Sequence, residues 1–207
     1  MRAVFIFLVI LLLIAMAVPV TFAVRFWMDG QSVLARAERS GALRTPAARG
    51  PLTGVERTIA MSEFRSTWRT SGVPCRTAVF LWADLTADDA PHGVSASQRF
   101  AMSVLGERNE TSIRWQIRRL IVACQLEQRF DDPRLLRMWL ARANFGERLE
   151  GMETASQAVF GKPSRDLNAE ESAKLAVLLR APGLRNQPER WAERAQTLQD
   201  RIAAPGH

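Results

Sequence analysis

The sequence predicts a mostly α-helical chain, on three observations. Ile113, Ile117, Leu120, Ile121 and Cys124 recur at helical spacing, which places one apolar stripe along a helix over residues 111–130. Capping chemistry marks three helix starts: Asp132-Pro133, Asn168 three residues before Glu171, and Pro188. Asp and Asn accept hydrogen bonds from the free N–H groups of a first turn, and Pro tolerates that turn because it has no N–H to satisfy. No run alternates apolar and polar residues as a half-buried strand would.

The elements follow in chain order. Residues 3–24 are 22 positions without a charge, roughly 33 Å of helix at about 1.5 Å per residue, enough for a bilayer core of about 30 Å. Arg2 and Arg25 flank this run, and Phe26-Trp27 follows as an interfacial aromatic pair. A cleaved signal peptide ending near Thr21-Phe22-Ala23 is the competing reading. Its apolar region would be longer than the usual 7–15 residues, so an uncleaved anchor is favoured. Residues 29–43 are expected to form a short juxtamembrane helix, and residues 44–54, with Pro46, Gly50, Pro51 and Gly54, a linker. This divides the chain into an anchor (1–28), a juxtamembrane linker (29–54) and one domain (55–207). Within the domain, residues 58–70 have mixed helical character, 71–94 read as irregular, and 95–105 as a short helix. The helix from Asp132 should run to about Ala143 and break at Asn144-Phe145-Gly146. The one opened by Asn168 should reach Arg180 and stop at Pro182-Gly183. The last should carry Trp191, Ala195, Leu198 and Ile202 on one face.

Composition narrows the function classes. Hydrophobic residues make up 47% and charged residues 24% of the 207 positions, which suits one membrane segment and one domain with a real core. The net charge of +7 suits an anionic membrane surface or a phosphorylated substrate. A nucleic-acid partner is not expected, because zinc-finger spacing, aromatic-basic interleaving and a basic tail are all lacking. Cys75 and Cys124 are the only cysteines, and His92 and His207 are far apart, so no metal site of the zinc type is expected. Cys124 lies on the apolar helical face, as a core residue would. A Cys75–Cys124 disulfide would require an oxidising compartment, and the sequence leaves the redox state open.

Several motifs occur in order over residues 111–202. The run from Leu135 through Gly146, LLRMWLARANFG, resembles the pattern ILExYLNxxYFG; Gly151 through Lys162, GMETASQAVFGK, resembles GIExAAxxYFGK; Asp166 through Pro182 resembles DLTLAEAALLAGLPxAP; and Arg194 through Ile202 resembles RRxxVLxRM. These patterns belong to the peptidoglycan glycosyltransferase domain, glycosyltransferase family 51, of monofunctional transglycosylases and bifunctional penicillin-binding proteins. Further upstream, residues 92–99, HGVSASQR, are similar to the family's GGSTITQQ, and Glu63 through Gly72 fall on EDxxFxxHxG with the first Glu and the last Gly retained. The resemblance implies a lysozyme-like α fold behind one N-terminal transmembrane helix. It also implies lipid II or glycan strands as substrate, other cell-wall synthesis proteins as partners, and a cytoplasmic (inner) membrane location with the domain on the extracytoplasmic side. The chain ends at His207, so no transpeptidase domain is expected to follow.

The chemistry of lipid II polymerisation has three requirements. A carboxylate must take the proton of the acceptor hydroxyl; positive charge or a metal must stabilise the departing lipid pyrophosphate; and an apolar face must admit the lipid tail. By resemblance, Glu63 is the catalytic base, and Gln98, Arg99, Arg114 and Arg118 are the substrate-binding residues. Other positions depart from the family. Its lysine after TITQQ is Met102, the glutamate of RKxxE is Arg118, the glutamate of ILE is Arg137, and the asparagine of YLN is Ala141. A divalent metal belongs to the family's chemistry, but its carboxylate position is Arg118 here, so no cofactor is expected. Two functions remain open. In one, Arg99, Arg114 and Arg118 clamp the pyrophosphate and activity persists. In the other, Arg118 pairs with Glu63, and the domain binds lipid II, glycan or a cell-wall synthase without turnover. A lysozyme-like hydrolase would need a second carboxylate opposite Glu63, for which Glu127 and Glu153 are the candidates.

Overall fold

A computed structural model describes residues 2–44, 50–64, 75, 94–106 and 112–204, with the backbone alone for residues 2–16, 18 and 19. Most of the irregular segment expected at 71–94, the end of the helix expected at 58–70 and part of the linker at 44–54 lie outside these residues. Eight α-helices occur among the described residues: α1 (Arg2–Arg39), α2 (Gly54–Phe64), α3 (Ala96–Leu105), α4 (Ile113–Arg129), α5 (Asp132–Leu140), α6 (Met152–Phe160), α7 (Ala169–Leu178) and α8 (Pro188–Ala203). Short 3-10 turns lie at Ser164–Asp166 and Pro182–Asn186. The only bridge among these residues pairs Asn144 with Glu150, in agreement with the mostly α class.

The caps explain most of the boundaries. Ser95 starts α3 and Ser112 starts α4, each with its hydroxyl accepting an N–H of the first turn. Asp131, not Asp132, caps α5: its Oδ1 accepts from the Arg134 N–H at 3.0 Å, and Asp132 and Pro133 fall inside the first turn. That helix ends at Leu140, three residues before the expected end. Asn168 and Glu171 form the expected reciprocal box on α7, with hydrogen bonds from Lys162 holding the Glu171 pKa below the usual carboxylate range. A second box went unread in the sequence. The Thr53 N–H donates to Glu56 Oε2 and the Glu56 N–H to Thr53 Oγ1, which starts α2 at Gly54, four residues earlier than expected.

Helix α1 is continuous, with no break between an anchor and a juxtamembrane helix. Its C-terminal half buries Val33, Leu34 and Ala37 in the core, so the helix expected at 29–43 is present through Arg39 and packs into the domain as the continuation of α1. Gly30 makes this packing close. A Cβ there would lie 2.8 Å from Gln125 Oε1 and 3.0 Å from Ile121 Cγ2, and Gln125 Nε2 donates to the Trp27 carbonyl at 2.9 Å. Among the described residues no helix is long and apolar enough to cross a membrane. The span expected at 3–24 falls largely where side chains lie outside those residues.

The centre of the domain is α5, where Leu135, Leu136, Arg137, Met138, Trp139 and Leu140 are all buried. Phe64 of α2 meets Trp139 edge-on at 5.4 Å. Arg137 is held in an ion pair with Glu56 at 2.9 Å, both side chains less than a tenth exposed, and also donates to the carbonyls of Gly50 and Pro51. The Asn144-Phe145-Gly146 break is a tight turn in which Asn144 Oδ1 accepts from the Gly146 N–H. Gly146 has φ +95°, and a Cβ would sit 2.3 Å from Pro182 Cβ. Gly146→Ala is therefore expected to lose about 3 kcal/mol of stability, measured by denaturant unfolding. Cys75 and Cys124 form a disulfide, which ties the chain after α2 to α4.

Candidate active site

Glu56, Ile59, Ala60 and Glu63 share one face of α2. Ile59 and Ala60 enter the core, and this packing delivers Glu63 inward at the last turn. The Glu63 side chain is 3% exposed, with both carboxylate oxygens engaged. Arg180 Nε lies 2.5 Å from Oε1, and Arg99 Nη2 lies 3.5 Å from Oε2. Arg180 also donates to the Ser62 carbonyl at 3.4 Å, yet its side chain is 63% exposed. Glu63 lies on the wall of a cleft of about 390 Å³ lined also by Ser62, Arg180, Arg190, Arg194 and Arg201. Four guanidinium groups thus line one cleft with a single carboxylate among them, and the opening favours a multiply charged anion.

Arg99 extends this positive surface along α3. Met102 is one turn further on and faces the same way, and Arg119 of α4 reaches over to it, with Nη1 3.8 Å from the Met102 sulfur. The Arg119 guanidinium also stacks on Trp115, 5.4 Å from the ring centroid. Burial pushes its pKa down, and among the described residues no carboxylate pairs with it. The Nε atoms of Arg99 and Arg119 are both buried without a hydrogen-bond partner among those residues. A buried donor left unpaired costs about 1–3 kcal/mol, which an anionic ligand would recover. The row Glu63, Arg99, Met102, Arg119 therefore joins a carboxylate to two under-satisfied cations.

A family model described as Transglycosylase matches residues 51–203. The chain belongs to the transglycosylase family, glycosyltransferase family 51. It is similar to penicillin-binding protein 1C of Escherichia coli (strain K12), 36% identical over 141 residues that cover 68% of this chain and 18% of that relative. It is also similar to penicillin-binding protein 1A of Pseudomonas aeruginosa, 32% identical over 101 residues, 47% of this chain and 12% of that relative. A third likeness is to the biosynthetic peptidoglycan transglycosylase of Shewanella frigidimarina, 42% identical over 66 residues, 32% of this chain and 29% of that relative. The chain thus spans less than a third of each of these relatives.

The expected site residues separate into two groups. Glu63 and Arg99 come together. Gln98 is buried in the first turn of α3, where its N–H donates to Ser95 Oγ. Arg114 and Arg118 do not approach Glu63. They line a different cleft, against α1, where Arg118 pairs with Asp29 at 2.8 Å. In place of the expected Arg118–Glu63 pair, Glu63 pairs with Arg99 and Arg180, and of the three arginines expected to form a clamp only Arg99 lies at Glu63. Arg118, a cation already bound to Asp29, does not fit a divalent metal, and no group of three metal-ligating side chains occurs among the described residues. Of the carboxylates considered for hydrolysis, Glu127 accepts from the Ser97 hydroxyl and Glu153 from the Ser164 N–H; neither lines the Glu63 cleft. Sequence reasoning missed Arg180 and Arg119. Arg180 interrupts the apolar run LAVLLRAP, and Arg119 follows Trp115 by one turn, signals too common to single out either residue.

Proposed function

We propose that this chain is a peptidoglycan glycosyltransferase that elongates glycan strands from lipid II, with Glu63 as general base. The observation that carries the reading is the buried carboxylate of Glu63 set among Arg99, Arg180 and the arginines of the adjoining cleft. A diphosphate carries more negative charge than a carboxylate, so it attracts the exposed Arg180 side chain away from Glu63. Oε1 then accepts the acceptor-sugar proton as the hydroxyl oxygen attacks the donor's anomeric carbon. The anomeric C–O bond breaks, and the lipid diphosphate leaves with its charge held by Arg99 and Arg119.

In this reading residues 3–24 anchor the chain as a single pass in the cytoplasmic membrane, with the domain on the extracytoplasmic side. The uncharged run and the flanking Phe26-Trp27 support it. So does the Cys75–Cys124 disulfide, a bond typical of oxidising compartments. Other cell-wall synthesis proteins are the expected partners.

The double occupation of Glu63 favours a second reading, in which the site binds lipid II or glycan without turnover and serves as a scaffold for synthases. Incubating the full chain with labelled lipid II and resolving the products on a gel separates the two. A ladder of glycan strands is the expected result. Retained lipid II binding with no ladder would establish the scaffold reading instead.

A further inference from the structure

The cleft between α1 and α4 is left without a role once Arg114 and Arg118 are placed away from Glu63. It encloses about 360 Å³ and is lined by Arg25, Arg114 and Arg118, with Phe22, Phe26 and Trp115 beside them. Its one acid, Asp29, is taken up by Arg118. Among the described residues no carboxylate pairs with Arg25 or Arg114. The cleft therefore presents two uncommitted guanidiniums above an aromatic floor. Its flank is apolar and exposed: Val20, Phe22, Val24, Trp27 and Met28 from α1, and Ile113, 80% exposed, from the first turn of α4. Two separate elements thus turn apolar side chains outward beside the same basic opening. None of its lining residues belongs to the Glu63 cleft, which is built from α2, α7 and α8 and the turn between the last two.

We propose that this cleft seats the phosphate of an anionic bilayer phospholipid. Arg25 and Arg114 hold the phosphate oxygens, and Phe22, Phe26 and Trp115 receive the ester and upper acyl region. Arg25 directly follows the uncharged run 3–24, so in a bilayer it lies at headgroup depth, where an anionic surface attracts arginine and where aromatic rings accumulate. The proposal rests on the reading of residues 3–24 as a membrane segment. A bilayer lipid is favoured over the lipid-linked substrate because the cleft flanks that segment and offers no free carboxylate to act as a base. Its consequence is orientation: the bound headgroup would fix α4 against the membrane surface and so set the height of the Glu63 cleft.

The test uses the full chain in mild detergent, with native mass spectrometry after addition of phosphatidylglycerol, phosphatidylcholine or a polyprenyl phosphate. Phosphatidylglycerol is expected to be retained about tenfold better than phosphatidylcholine. The preference should vanish in Arg25→Gln/Arg114→Gln and persist in Arg25→Lys/Arg114→Lys. Equal retention of the two phospholipids, or a preference that survives the glutamine variant, would overturn the proposal. Tighter retention of the polyprenyl phosphate would overturn the assignment to a bilayer lipid. Co-flotation with neutral vesicles tests the anchor separately, because an anchored chain floats whether or not the headgroup seat exists.

Discussion

Replacing Glu63 with glutamine is expected to slow lipid II polymerisation by about 10²–10⁴-fold, the usual worth of a positioned general base. Lipid II affinity should change only a few-fold. Gln keeps the size of the side chain and an oxygen for Arg180, but it cannot take the acceptor proton. The loss should therefore fall on kcat and spare KM, a split read from initial rates of glycan formation over a lipid II concentration series. A variant that loses affinity and rate together would show that the Glu63 carboxylate holds the arginines in place without itself accepting the proton.

Replacing Arg137 with methionine is expected to lower folding stability by about 3–5 kcal/mol, because Glu56 would keep a buried charge without its partner. At roughly 2–4 °C per kcal/mol for a chain of this size, the melting temperature should fall by about 10 °C. Glu56→Gln combined with Arg137→Met should recover much of that loss, since the pair is coupled. The variant's remaining folded protein should polymerise lipid II at close to the wild-type rate. Arg137 replaces a glutamate of the family pattern, and in the sequence that reversal looks like a lost function. In the structure Arg137 anchors the start of α2 from the middle of α5, which makes it a packing residue.

Legibility in the sequence followed the range of the interactions. Ser95, Asn168 with Glu171, and Pro188 act within a single turn, and the helices they start lie where local chemistry puts them. The part played by Gly30 was not legible, because it lies in the close approach of Gln125 from α4, about ninety-five residues later. Glu63 was legible through the motif that it opens. Its partners were not, because Arg99 and Arg180 reach it from 36 and 117 residues away. The resemblance placed Arg114 and Arg118 at the substrate, but Asp29 of α1 draws Arg118 aside. Nothing within the α4 sequence announces that competition. Arg119 gains its place by leaning on Met102 and Trp115, contacts that depend on how α3 and α4 pack.

In the proposed mechanism Arg99 and Arg119, beside the base Glu63, hold the pyrophosphate of the substrate, and Arg114 and Arg118 do not. The most direct measurement compares Arg119→Ala with Arg114→Ala for lipid II binding and polymerisation in detergent, where no bilayer phospholipid is offered. Loss of a charge-assisted contact of about 1.5–3 kcal/mol predicts that Arg119→Ala weakens lipid II binding by about 10–100-fold, with Arg114→Ala within about twofold of wild type. The reverse pattern, with Arg114→Ala crippled and Arg119→Ala unaffected, would place the pyrophosphate at Arg114 and not at Arg119.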